Sequence, residues 1–208
     1  MVAWIETVVL KERWDVDKRL TAIGLSREGL LRVRGVAINA AGNATPNHCA
    51  NAAGTFGYQS GTWALRHEYV GSAWAIDRTD GVESIFNREL NIRVAFSNVD
   101  VACDDEQEPS PRSSKGSGSE RLCEGNLFEH LPRFTKLPSE KCATFYLMTA
   151  PTGACELSRP VITNGEFSSF VERLYLSNGR DEDGARLPLS DDDAVADFDP
   201  VIVRKPAA

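Results

Sequence analysis

The chain has 208 residues, 42% hydrophobic and 25% charged, with a net charge of −7. This is close to average globular usage, which excludes wholesale disorder and leaves room for one large or two small domains. The acidic balance disfavours non-specific attachment to nucleic acid or anionic membranes, and favours solubility or a basic partner.

The apolar run Thr7 to Leu10 is broken at Lys11 and followed by charge, so neither a secretory leader nor a spanning helix is expected, and a soluble cytoplasmic protein is. Five widely spaced cysteines (Cys49, Cys103, Cys123, Cys142, Cys155) form an odd set, so reduced thiols are expected rather than a disulfide framework. No pair has zinc-knuckle spacing, and His48, His67 and His130 supply no complementary ligand pair, so no metal is expected. Charge is uneven: residues 1–36 carry seven Lys/Arg against five Asp/Glu, residues 164–208 five against ten.

In chain order, Asp15 to Ile23 patterns as a short helix capped by Asp15 or Asp17 and stopped by Gly24. Leu25 to Arg34 resembles the second helix of a helix-turn-helix, with Ser26 as cap. On a wheel of 100° per residue, however, Arg27 and Arg34 fall inside the apolar arc, so a strand is expected, with Leu31 and Val33 on one face. Gly35 to Thr62, rich in Gly, Ala and Asn, reads as an irregular connection. Gly54, Gly57 and Gly61 lack both the Lys-Ser/Thr that completes a phosphate loop and the dinucleotide fingerprint. Trp63 to Tyr69 alternates as a strand with His67 on its apolar side, where a histidine is more often a core residue than a catalytic base.

Ile92, Val94 and Phe96 alternate, then Val99 and Val101 take the other parity, which predicts a bulge near Ser97 or Asn98. From Asp104 to Gly125 apolar residues nearly vanish, and a flexible polar insertion is expected. Ala143 to Thr149 reads as a strand covered on both faces, followed by a turn at Pro151-Thr-Gly153 and a strand ending near Ile162. Thr163 with Glu166 resembles a capping box. Phe167, Phe170, Val171 and Leu174 share one helical stripe, so a helix ending at Asn178-Gly179 is predicted. Ser190 opens a short helix, and Val201 to Val203 suits an edge strand. The expected fold is α+β: one domain over residues 1–208, with a mixed or antiparallel sheet, a few short helices and the long polar insertion 104–125.

The chemistry-bearing candidates are few. Asp181-Glu-Asp183-Gly184 fails the register of a calcium loop, because Gly179 and Ser190 would occupy its anchoring positions. His48-Cys49 needs a base from elsewhere to make a thiolate, and no Gly-x-Ser-x-Gly elbow exists. Arg112, Lys115 and Arg121, interleaved with hydroxyls and glycines, can wrap a phosphate, carboxylate or nucleic-acid backbone, although Asp104, Asp105, Glu106 and Glu108 oppose an anion. Absent catalytic motifs and an acidic end together suggest a non-catalytic binding or regulatory protein without cofactor, meeting the basic surface of a protein partner through Asp191, Asp192 and Asp193, in one version as a nucleic-acid mimic. The alternative is an enzyme on a phosphate-bearing small molecule or nucleotide, with Arg112, Lys115 and Arg121 gripping the anion and His67 as acid or base. A third reading is DNA binding through residues 15–34.

Overall fold

The structure, a computed structural model, describes residues 7–127 and 142–180. It is an α+β fold. Its elements run β1 (Val8–Leu10), α1 (Arg13–Ala22), α2 (Arg27–Gly42), α3 (Ala52–Tyr69), β2 (Trp74–Asp77), β3 (Ser84–Asn87), β4 (Ile92–Asn98), α4 (Ser117–Leu127), β5 (Ala143–Thr149), β6 (Ala154–Thr163) and β7 (Glu166–Asn178), with a 3₁₀ turn at Thr79–Gly81. The strands form one mixed sheet in the order β1-β7-β6-β5-β4-β3-β2. The pairs β1–β7 and β4–β5 are parallel and the other four antiparallel. No helix among the described residues is long and apolar enough to cross a membrane. All five cysteines are free thiols, as their spacing suggested.

The first helix stops where expected but begins earlier, at Arg13, with Glu12 rather than Asp15 or Asp17 in the N-cap position. Gly24 takes φ 73°. Leu25 N donates to Leu20 O at 2.9 Å and Gly24 N to Thr21 O at 3.1 Å, the paired bonds of a Schellman stop. The next three readings require correction. Residues 25–34 are not a strand: Ser26 caps α2 by accepting from Gly29 N at 3.2 Å. The arginines inside its apolar arc are reconciled by their long stems, which carry the charge to polar atoms at the sheet's end. Arg27 is 7% exposed and donates to Asp17 at 2.8 Å and to Leu176 O at 2.5 Å. Arg34 donates to Gly153 O at 3.2 Å and Ser177 Oγ at 2.8 Å.

Of the Gly/Ala-rich stretch 35–62, only residues 43–51 are a connection; the rest belongs to α2 and α3, and the alternating Trp63–Tyr69 segment continues α3 rather than forming a strand. Small residues let the helices and the sheet approach closely. A Cβ on Gly57 would stand 3.4 Å from Ala37 O, and one on Gly61 only 2.6 Å from the Phe96 ring. Intrinsic propensity disfavours glycine in a helix, but here the contact it permits outweighs that preference.

The fourth correction concerns β7, read above as a helix. Asn164 (φ 55°) and Gly165 (φ 78°) form the two-residue turn of a β6–β7 hairpin, in which Thr163 pairs with Glu166. Register shifts between Arg159 and Pro160 and between Val161 and Ile162 place both Phe167 and Phe170 on one face of the sheet. A bulged strand therefore imitates the i, i+3 spacing of a helix.

The sheet is covered on both faces. Val94, Phe96, Phe145, Leu147, Leu157 and Leu174 pack against the helical layer of Val16, Leu20, Leu30, Val33 and Leu65. The opposite face carries Ala95, Tyr146, Met148, Phe167 and Phe170, together with buried Ser97, Glu156, Ser158 and Arg173.

That second face explains the polar stretch, whose described residues are seated against it. Because β4 and β5 are parallel neighbours, a crossover has to join them, and residues 99–127 are its described part. Residues 105–108 and 112–114 are exposed, whereas Ser119, Cys123 and Asn126 of α4 are buried. Val99, Ala102 and Cys123 of the crossover join the apolar part of this face, and its polar groups meet the polar part. Cys103 N donates to Glu156 Oε2 at 2.6 Å, and Arg173 Nη1 to Asp104 O at 3.0 Å. Asn126 Nδ2 donates to Pro160 O at 2.7 Å and Thr144 O at 3.0 Å. Buried polar groups need such partners, and the crossover supplies them. The predicted helix at Ser190, the edge strand 201–203, the acidic turn 181–184, His130 and Asp191, Asp192 and Asp193 lie outside the described residues.

Candidate functional site

A cleft of about 520 Å³ opens between the start of α3, the end of β4 and the crossover from Arg112 to Ser119. Its walls are built by the fold described above. Asn98, at the end of β4, donates through Nδ2 to Gly54 O at 2.8 Å and so ties α3 to the sheet. The same residue's carbonyl accepts from Arg112 N at 3.1 Å, and Lys115 N donates to Gly165 O at 2.8 Å, which fixes the basic segment along the other rim. Gly118 packs so closely on Asp80 that a Cβ would come within 2.0 Å of its carbonyl oxygen, so the start of α4 is seated against the 3₁₀ turn.

Two of the three predicted anion-gripping residues, Arg112 and Lys115, line this cleft. Among the described residues neither has a carboxylate within ion-pair distance. Arg121 is employed elsewhere, donating to Asp80 Oδ1 from Nε at 3.0 Å and Nη2 at 2.8 Å. Glu83, the acid on the cleft wall, is neutralised by Arg66 and by Arg78 at 3.2 Å.

Lys115 Nζ donates to Ser97 Oγ at 2.7 Å and sits 5.5 Å and 5.6 Å from the ring centroids of Tyr146 and Phe167. Burial brings its pKa down from 10.5 to about 8, against the opposing influence of Cys123 and Glu166. The aromatic faces return part of the lost hydration. Tyr146, 2% exposed, stands beside Ser119, yet its hydroxyl makes no hydrogen bond of good geometry, and burial pushes its pKa up, which keeps the phenol neutral. Tyr58 is raised in the same direction by burial and by Glu83.

His67 does not line this cleft. It lies exposed on α3, stacked on Trp63 with centroids 4.8 Å apart and planes at 8°. The basic residues of the 15–34 region are also engaged within the chain: Arg19 with Glu172 at 2.6 Å, Arg27 and Arg34 with the sheet's end, and Arg32 with Glu68. His48 Nδ1 accepts from Thr45 N at 3.0 Å and is not positioned on the adjacent thiol by any hydrogen bond. No group of three or more His, Cys, Asp or Glu among the described residues could hold a metal ion.

Sequence reasoning missed Tyr58, Asn98, Ser119 and Tyr146. Tyr146 stood within a continuously apolar run, and Asn98 and Ser119 carried no local signal. Only the parallel pairing of β4 with β5 brings all of them together. Compared with models of known protein families, with curated proteins and with solved structures, the chain finds no match.

Proposed function

We propose that the protein binds a small anionic molecule in this cleft, one that joins a phosphate or carboxylate to a flat apolar group. The reading rests on one observation: Arg112 and Lys115, two cations without acidic partners among the described residues, line the same cleft. A guanidinium and an ammonium lining one cleft favour phosphate or carboxylate, and the hydroxyls of Ser113, Ser114 and Ser119 offer neutral donors in the same lining. Phe96, Tyr58 and Tyr146 supply the apolar wall, and the volume falls in the range of small-molecule sites.

This keeps the anion-gripping role expected of Arg112 and Lys115, with Arg121 and His67 outside the ligand's first contacts. The alternative of a protein partner held through Asp191, Asp192 and Asp193 rests on composition. The test is thermal stabilisation with inorganic phosphate, a nucleoside 5′-monophosphate and benzoate. A saturable rise in Tm with an anionic probe, lost in Arg112→Gln, is expected. If no probe raises Tm, or if the substitution leaves the rise intact, the reading fails.

A further inference from the structure

We propose that the cleft traps carbonyl compounds: the ε-amine of Lys115 condenses with the aldehyde or ketone of an anionic ligand, forming an imine and releasing water. This deepens, and rests on, the anion-binding reading of the same site.

Three features of the geometry carry it. The amine is held in place rather than left free, since Lys115 Nζ donates to Ser97 Oγ at 2.7 Å and lies over two aromatic rings. No carboxylate forms an ion pair with it among the described residues, so nothing nearby fixes the ammonium form by direct contact. The Tyr146 hydroxyl, buried on the same cleft beside Ser119, makes no hydrogen bond of good geometry in the unliganded protein. A buried hydroxyl without a well-formed hydrogen bond costs stability, and a ligand oxygen would satisfy it.

The chemistry balances without an oxidant or reductant. The nitrogen lone pair attacks the carbonyl carbon, forming the C–N bond, and the carbonyl π pair moves to oxygen, which takes a proton to give a carbinolamine. Nitrogen gives up one proton, the hydroxyl takes a second, and the nitrogen lone pair closes the C=N bond as the C–O bond breaks and water leaves. The iminium then releases its remaining proton to give the imine, so protons balance. The neutral Tyr146 phenol is the available donor to the ligand oxygen, and Ser97 Oγ orients the amine by accepting its hydrogen bond. Arg112 holds the anionic end.

The burial that strips water from Lys115 also frees its lone pair. With a pKa of about 8, roughly half of this amine is neutral at pH 8, against about one in three hundred for a lysine at 10.5. Lower basicity takes back part of that gain, which leaves a reactivity advantage on the order of tenfold.

The probe is pyridoxal 5′-phosphate, an aromatic aldehyde with a phosphate, added below one equivalent to the wild-type protein at pH 8 and fixed with borohydride. Peptide mass spectrometry then ranks the labelled lysines. Lys115 is expected to label about tenfold faster than exposed Lys11 and Lys18, and excess inorganic phosphate should slow Lys115 alone. Pyridoxal, which lacks the phosphate, should label Lys115 more slowly, as should pyridoxal 5′-phosphate on Arg112→Gln. Labelling of Lys115 no faster than Lys11 overturns the inference. If anionic probes still raise Tm in that case, the binding reading stands without it. Because wild-type protein carries the decisive comparison, no outcome depends on a variant that fails to fold.

Discussion

Glu156 of β6 and Arg173 of β7 form a two-bond ion pair beneath the crossover, Nε to Oε1 at 2.9 Å and Nη2 to Oε2 at 2.8 Å, with Glu156 fully buried. Both groups make further bonds. Glu156 accepts from Cys103 N and from Ser158 Oγ at 2.6 Å, and Arg173 donates to Asp104 O, next to Phe170 and Tyr175 at 5.4 Å and 5.0 Å. This pair joins the hydrophilic crossover to the sheet.

Removing one partner leaves a buried charge alone, which costs about 3–5 kcal/mol. Arg173→Met and Glu156→Gln should each lower the urea midpoint strongly, and the double variant should lose less than the sum of the two. Loss of under about 1 kcal/mol in either single variant contradicts the pairing described.

Lys115 gives stability a distinct pH dependence. Its folded pKa lies below its unfolded value, so between about pH 8 and 10.5 the unfolded chain binds more protons and stability rises with pH in that window. Cys103, Cys123 and Cys155 act oppositely above pH 9, because burial raises each thiol to about 12 in the folded state. The groups around Lys115 are Cys123 on α4, Glu166 on β7, Tyr146 on β5 and Arg112 on the rim. Subtracting the Lys115→Met profile from wild type isolates the lysine. That difference should climb from pH 8 to 9, and a flat difference would show an ordinary surface amine.

Asp77 accepts from Arg93 at 2.6 Å, Thr79 at 2.7 Å and Ser84 at 3.0 Å. Burial alone would raise its pKa, but these bonds prevail and lower it below 3.8. A depressed carboxylate contributes stability above its unfolded pKa that disappears as pH falls through the folded one. Thermal midpoints measured from pH 5 to 2 should therefore drop more steeply for wild type than for Asp77→Asn. Parallel curves would refute this.

Two glycines in helices should respond in opposite directions. Gly61→Ala drives a methyl into the Phe96 ring and should cost about 1–3 kcal/mol despite alanine's better propensity. Gly35→Ala, in α2 with nothing within 4 Å of the new Cβ, should stabilise by roughly 0.5–1 kcal/mol. Equal effects in chemical denaturation would refute the helix–sheet contact.

How much was readable in advance follows from where each signal is stored. Gly24 and the turn between β5 and β6 were found because turn and stop chemistry resides in a few adjacent residues. Asn164-Gly165 carried an equally local hairpin signal, but the i, i+3 spacing of Phe167 and Phe170 competed with it, and a bulge settles that competition in favour of the strand. In the site, Arg112 and Lys115 stood out by composition alone, whereas Tyr146, Asn98 and Ser119 did not.

Taken alone, the residues dictated the α+β class, several chain reversals and a polar segment carrying Arg112 and Lys115, all of which depend on short-range chemistry and bulk composition. They could not dictate that β4 and β5 run side by side in parallel. Strand pairing is a choice among distant partners with nearly equal local preferences, and burial of both sheet faces decides it. From that choice follow the crossover, its match to the buried Glu156 and Arg173, and the meeting of Lys115 with Ser97 and Tyr146.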